Sequence, residues 1–162
     1  MILEDDVEIS SELKNCLEEI SQNLKPEQNT IIMVGPRAWN IDKNKIAVSE
    51  NCSVVLRRTF SPYGTCGYIV TYEAARRLSN FLLPCRTVAD DWGRFERYGL
   101  VKIWTTEPEL VHLTEADNNS TIGTRTVRND IITKIFRLGR RMTFEKIDLL
   151  YSIIYRLKHG YR

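Results

Sequence analysis

Residues 30–34 read Thr-Ile-Ile-Met-Val, a short and unbroken apolar run. It lacks the polar–apolar alternation of a strand with one wet face, so it predicts a strand covered on both faces. The flanking sequence supplies the helices. Ser10 or Ser11 can cap a helix reaching Leu24, with Leu13, Cys16, Leu17, Ile20 and Leu24 at helical spacing, and Lys25-Pro26 ends it. A second strand at Cys66–Tyr72 feeds a helix from Tyr72 to Leu83, with Thr71 placed to cap it and Pro84 to stop it. A short helix from Asp90 to Tyr98, with acids in its first turn and Gly99 as the residue after its end, completes the pattern.

Further strands are expected at Met1–Leu3, Ser53–Arg58, Leu100–Trp104 and Glu109–Leu113. The stretch from Gly35 to Asn51 is polar and reads as loop, with a short strand at Ile46–Val48. Strands alternating with helices define an α/β chain with a mixed sheet. Met1–Leu3 reads as a buried, inner strand, although nothing upstream supplies a first strand–helix unit.

The totals narrow the classes. A chain of 162 residues with 43% hydrophobic and 27% charged residues suits one globular domain with an ordinary core. Its net charge of +2 is unevenly spread: from Lys134 onward eight Lys/Arg face two acids, which leaves the first 133 residues acidic. An acidic body without a recognition motif argues against nucleic acid. Cys16, Cys52, Cys66 and Cys85 form no CxxC pair, which excludes a zinc ribbon and suits reduced thiols in the cytoplasm. The N-terminus is too acidic for a signal peptide, and no apolar run nears the roughly 20 residues a membrane span needs. A cytoplasmic chain, peripheral at the inner face of the membrane, is expected.

Chemistry is concentrated in two acidic stretches. Glu4, Asp5 and Asp6 follow the first strand directly, and no cation appears before Lys14. In open α/β sheets ligands bind beyond the carboxyl ends of the strands. Adjacent acids there can hold Mg²⁺ or Mn²⁺ together with phosphate oxygens, or can be a solvated acidic turn. Asp90 and Asp91 precede the short helix, where an acid can be a helix cap or a general base. Trp92 beside them can stack on a sugar or fill the core. Gly64–Tyr68 enters its strand through small residues, as a bend or as a place where backbone approaches a ligand.

The segments ILEDDVEIS, GTCGYIVTYEAARRLSNFL, VADDWGRF and STIGTR, in this order, resemble glycosyltransferase family 25, which builds lipooligosaccharide and lipopolysaccharide chains. The resemblance implies a GT-A-like nucleotide-diphospho-sugar transferase fold over residues 1–126, with a basic amphipathic helical tail over 127–162. It implies that Asp6, with Glu4 or Asp5, bridges Mn²⁺ or Mg²⁺ to the diphosphate of a UDP-sugar. It places Gly64 and Thr65 near the donor sugar, and makes Asp91, with Asp90 as competitor, the base that deprotonates the acceptor. His112 becomes a candidate third metal ligand, and Ser120 with Thr121 a candidate lid over the donor. The expected activity is hexose transfer, galactose foremost and with inversion, onto a lipid-linked saccharide.

Family members carry a strand–helix region before the acidic motif that this sequence lacks. The resemblance therefore also implies an N-terminally truncated domain with an incomplete uridine pocket and an unpaired edge strand, which a separate N-terminal chain could complete. The competing functions are a catalytically inactive remnant that binds a membrane or partner, and, last, a metal-dependent phosphohydrolase. The tail offers two apolar-rich helices, at Ile131–Leu138 and Phe144–Leu157. In the second, Ile147, Leu150, Tyr151, Ile154 and Leu157 form one stripe that can pack on the domain or lie on an anionic membrane surface.

Overall fold

The structure is a computed structural model and describes residues 1–35, 40–48, 54–60, 62, 64–85, 87–114 and 146–161. Among these described residues eight strands and four helices follow one another as β1 (Ile2–Leu3), β2 (Val7–Ile9), α1 (Leu13–Asn23), β3 (Thr30–Met33), β4 (Asn40–Ala47), β5 (Val55–Phe60), β6 (Gly67–Val70), α2 (Tyr72–Leu82), α3 (Trp92–Arg97), β7 (Lys102–Glu107), β8 (Val111–Leu113) and α4 (residues 146–159). Six strands form one sheet in the order β1-β6-β3-β7-β5-β4, and β2 pairs with β8 in a separate ribbon. Among the described strands only β3 and β7 run parallel; the other pairs are antiparallel, so the sheet is mixed.

β3 is buried along its whole length and splits its side chains between two cores. Ile31 and Met33 join Ala74 and Phe81 of α2, Trp92 and Phe95 of α3, and Ile103 of β7. Ile32 and Val34 join Leu13, Cys16 and Ile20 of α1 on the opposite face. Each fully buried aliphatic side chain is worth about 1.5–3 kcal/mol, so this strand is the main tie between the two helical layers. The continuous apolar run is explained: neither face of β3 meets water.

Several boundaries differ from expectation. β1 is the two-residue edge of the sheet, with Ile2 half-exposed, and not a buried inner strand, because β6 is its only partner among the described strands. β4 spans eight residues where the sequence suggested mostly loop. It is the opposite edge strand, with β5 its one partner among the described strands, and an edge tolerates the polar, lysine-bearing sequence NIDKNKIA. α1 starts at Leu13, later than a cap at Ser10 or Ser11 implies, although the Ser10 hydroxyl accepts the Glu12 N–H at 3.3 Å. α3 begins after both acids, with Asp91 as its N-cap residue and none in its first turn. Gly99 does follow α3 with φ +71°, a conformation costly for other residues.

Thr71 occupies the N-cap position of α2, but its hydroxyl is used elsewhere. It accepts the Thr30 N–H at 3.0 Å and contacts the Gln28 carbonyl, tying the start of α2 to the start of β3. α4 turns its polar stripe inward. Ser152 is buried, and the Tyr155 ring sits 5.5 Å from Phe81 and 5.4 Å from Tyr98. Asp148 accepts hydrogen bonds from Arg94 (2.7 and 3.0 Å), Arg97 (3.1 Å) and the Tyr98 hydroxyl (3.0 Å). The stripe Ile147, Leu150, Tyr151, Ile154 and Leu157 is exposed.

Candidate active site

At the end of β1 the chain turns through Glu4, Asp5 and Asp6 into β2. Antiparallel pairing brings the start of β6 to this same edge, and the carboxyl end of β3 lies next to it. The Glu4 N–H donates to the Cys66 carbonyl at 3.2 Å, prolonging the ladder by one residue. The Thr65 hydroxyl donates to the Glu4 carboxylate. The Asp6 backbone is pinned by its carbonyl, which accepts both the N–H and the hydroxyl of Thr114 at 3.0 Å. Asp5 and Glu4 are exposed and Asp6 is half-buried.

Gly64, beside Thr65, has φ +79° and offers its carbonyl to the Trp92 indole N–H at 2.8 Å. This bond connects the strand-end loop to the first residue of α3. Trp92 is 2% exposed, so it is a core residue and not a platform for a sugar, and the stacking role is ruled out by burial. Asp91 closes the chain of contacts. Its carbonyl accepts the first α3 amides of Arg94 and Phe95. Its carboxylate accepts the Thr87 hydroxyl at 2.7 Å and lies 3.9 Å from Arg94, so it is not spent on capping. Asp91 also walls a groove of about 650 Å³ between α3 and α4, shared with Tyr98, Tyr151, Ile154 and Lys158. Asp90 is exposed beside it.

The structure thus joins Glu4, Thr65, Gly64 and Trp92 by contacts, with Asp91 beside Trp92 in the chain and its carboxylate on the α3–α4 groove, and adds a residue that sequence reasoning passed over. Tyr68 packs edge-on against Trp92, with ring centroids 5.2 Å apart. Burial, and secondarily the negative charge of Glu4, raise its phenol above the usual tyrosine range. Tyr68 thus packs against the core with its partly buried ring close enough to Glu4 to feel its charge. The available signal was strand alternation, which puts Tyr68 and Val70 opposite Gly67 and Ile69. An aromatic inside an apolar strand reads as core and hides the role.

His112 stands across the β2–β8 ribbon from Glu8 and lies 3.8 Å from Glu109, on an exposed face. Among the described residues no three His, Cys, Asp or Glu side chains converge as a metal cage requires, so Glu4, Asp6 and His112 do not form a three-ligand set. The donor chemistry of Glu4, Asp5 and Asp6 fits a narrower case. Mg²⁺-type cations are commonly held by one or two carboxylates plus substrate phosphates. Ser120 and Thr121, with the segment STIGTR, lie outside the described residues.

Cys16 and Cys66 are buried and Cys85 is exposed; Cys52 lies outside the described residues. Among the described residues no helix is long and apolar enough to cross a membrane. The sequence model of glycosyltransferase family 25 (LPS biosynthesis protein) matches residues 1–92, a range that reaches from the acidic turn through Trp92. No curated protein and no solved structure matches the chain.

Proposed function

The chain belongs to glycosyltransferase family 25, and on that premise we propose that it transfers a hexose, galactose foremost, from a UDP-sugar to a lipooligosaccharide or lipopolysaccharide acceptor. The sheet would then be of GT-A type. The observation that supports the proposal is the run of contacts from the Glu4 carboxylate through Thr65 and Gly64 to the Trp92 indole, which stands next to Asp91 in the chain.

Asp6, with Glu4 or Asp5, would hold a Mn²⁺ or Mg²⁺ ion together with the donor diphosphate. Bound there, the ion supplies positive charge against the charge that develops on the leaving group. The remaining roles belong to side chains of the chain itself. Thr65 and Tyr68 present hydroxyls beside the acids, able to orient donor oxygens. Gly64, at the half-buried entrance to β6, would let a ligand approach the backbone closely. Asp91, with Asp90 as the alternative, takes the proton of the acceptor hydroxyl as its oxygen bonds to the anomeric carbon. The bond from that carbon to the phosphate oxygen breaks, and UDP departs with the electron pair. Inversion follows from attack on the face opposite the diphosphate.

Calorimetric titration with UDP-galactose tests this. Binding is expected with Mn²⁺ and not in its absence, and Asp6→Asn is expected to weaken it at least tenfold, about 1.4 kcal/mol. A folded chain with no metal-dependent binding would refute the transferase assignment and leave the non-catalytic binding module in its place.

A further inference from the structure

α4 is inverted relative to an ordinary surface helix. A helix packed on a domain turns its apolar stripe inward and its polar stripe outward. Here Asp148, Ser152 and Tyr155 face the body, while Leu150, Ile153, Ile154 and Leu157 are exposed, with Leu157 79% accessible. An isolated exposed leucine is ordinary, but a continuous apolar face on one helix marks an interaction surface. The electrostatics narrow what covers it. Residues 146–159 contain a single acid, Asp148, and three donor side chains hold it against the body. Both lysines of the helix, Lys146 near its start and Lys158 near its end, are exposed. At 100° per residue Lys146 falls between Ile153 and Leu157, and Lys158 falls beside Ile147. The exposed face is therefore apolar, with a lysine at each end and no acid of α4 on it.

We propose that α4 docks the chain on an anionic lipid bilayer, lying in the plane of the interface with its leucines and isoleucines among the acyl chains and its lysines at the headgroups. Lysine stems reach outward along an apolar surface while their ammonium groups stay hydrated, which suits this placement. A second copy of the chain is disfavoured as the occupant, since self-pairing would bring these lysines near one another without an acid to meet them. The docking face continues into the wall of the groove that holds Asp91, through Ile147, Tyr151 and Ile154. A chain seated in this way presents that groove at the lipid surface. This orientation rests on the transferase assignment; the docking itself does not.

The test is co-sedimentation of the full chain with vesicles of phosphatidylcholine alone or mixed with phosphatidylglycerol, without any nucleotide sugar. Binding to the mixed vesicles and little to the neutral ones is expected. It should weaken as salt rises from 0.1 to 1 M, where the screening length falls from about 10 to about 3 Å. Leu150→Gln with Leu157→Gln, and separately Lys146→Glu with Lys158→Glu, should each lower binding by roughly tenfold or more. All four side chains are exposed, so the circular dichroism melt of the body should not move. Equal binding to both vesicle types, or none, overturns the proposal. So does a concentration-dependent dimer by ultracentrifugation that Leu150→Gln abolishes, which would assign the face to a second copy. An environment-sensitive dye on Leu157→Cys that reports burial without lipid would assign it to the chain's own residues. Loss of UDP-galactose binding with vesicle binding intact would refute the transferase assignment alone.

Discussion

Replacing Asp148 with alanine should loosen α4 while leaving the sheet intact. The carboxylate is 13% exposed and accepts from Arg94, Arg97 and Tyr98, whose arginines are 32% and 45% exposed. Burial alone would push this carboxyl up, but the hydrogen bonds from Arg94, Tyr98 and Arg97 outweigh it and hold it below the usual range. Fully exposed ion pairs contribute about 0.2–1 kcal/mol and broken buried ones cost about 3–5 kcal/mol. A cluster of intermediate exposure should cost about 2 kcal/mol, or roughly 30-fold in the equilibrium between docked and undocked helix. Tyr155 remains wedged against Phe81 and Tyr98, so the loss is confined to the polar contact. Native-state hydrogen exchange reads it directly: amides of residues 150–158 should exchange roughly 30-fold faster while those of Ile31, Ile32 and Met33 are unchanged. Asp148→Asn keeps an acceptor for one donor and should show a smaller rise. Exchange in α4 within about threefold of the parent would refute the claim that this cluster holds the helix. Equal acceleration in β3 would show that the helix and the sheet open together.

Gly35→Ala would place a methyl group 2.6 Å from the buried Cys66 sulfur and 3.5 Å from the Val111 carbonyl. Overpacking of this kind costs about 1–3 kcal/mol, which lowers the Tm by roughly 3–10 °C; the double variant with Cys66→Ala should recover most of it, and failure to do so would place the strain elsewhere. Glu73 is held at about 2 by hydrogen bonds from Arg76 and then Arg77. A depressed carboxyl stabilises the fold fully above its ordinary value of 4.5 and loses that contribution as pH falls through about 2. Glu73→Gln should therefore flatten the stability–pH curve between those values, by about 0.5 kcal/mol once solvent screening is counted, and a curve parallel to the parent's would refute it.

How far the sequence could be read depended on where each segment meets water. β3, α1 and α2 carry their burial in their composition: an unbroken apolar run, and leucines or their equivalents at helical spacing. β4 carries no such signal, because an edge strand is specified by its neighbour's hydrogen bonds and not by its own side chains. The apolar stripe of α4 was legible, but its outward direction was not. That direction is set by Asp148, and an acid on a helix looks solvated until Arg94, Arg97 and Tyr98 are seen around it. The acidic turn and the glycine-rich strand entry were both visible as candidate motifs. Their junction through Thr65 needed the β1–β6 register, which pairs Leu3 with Gly67 across 64 positions of chain. Tyr68 was hidden by its own strand, and Trp92 looked available because its indole partner, a backbone carbonyl, leaves no trace in sequence.

The indole N–H of Trp92 has a consequence for how this region can change. One bond fastens the loop at Gly64 to the helix that starts with the tryptophan, so a shift of a few tenths of an ångström on either side is felt on the other. A variant selected for a new acceptor by moving that helix would carry the loop with it and disturb the opposite partner. Adaptation of the two halves has to proceed in step.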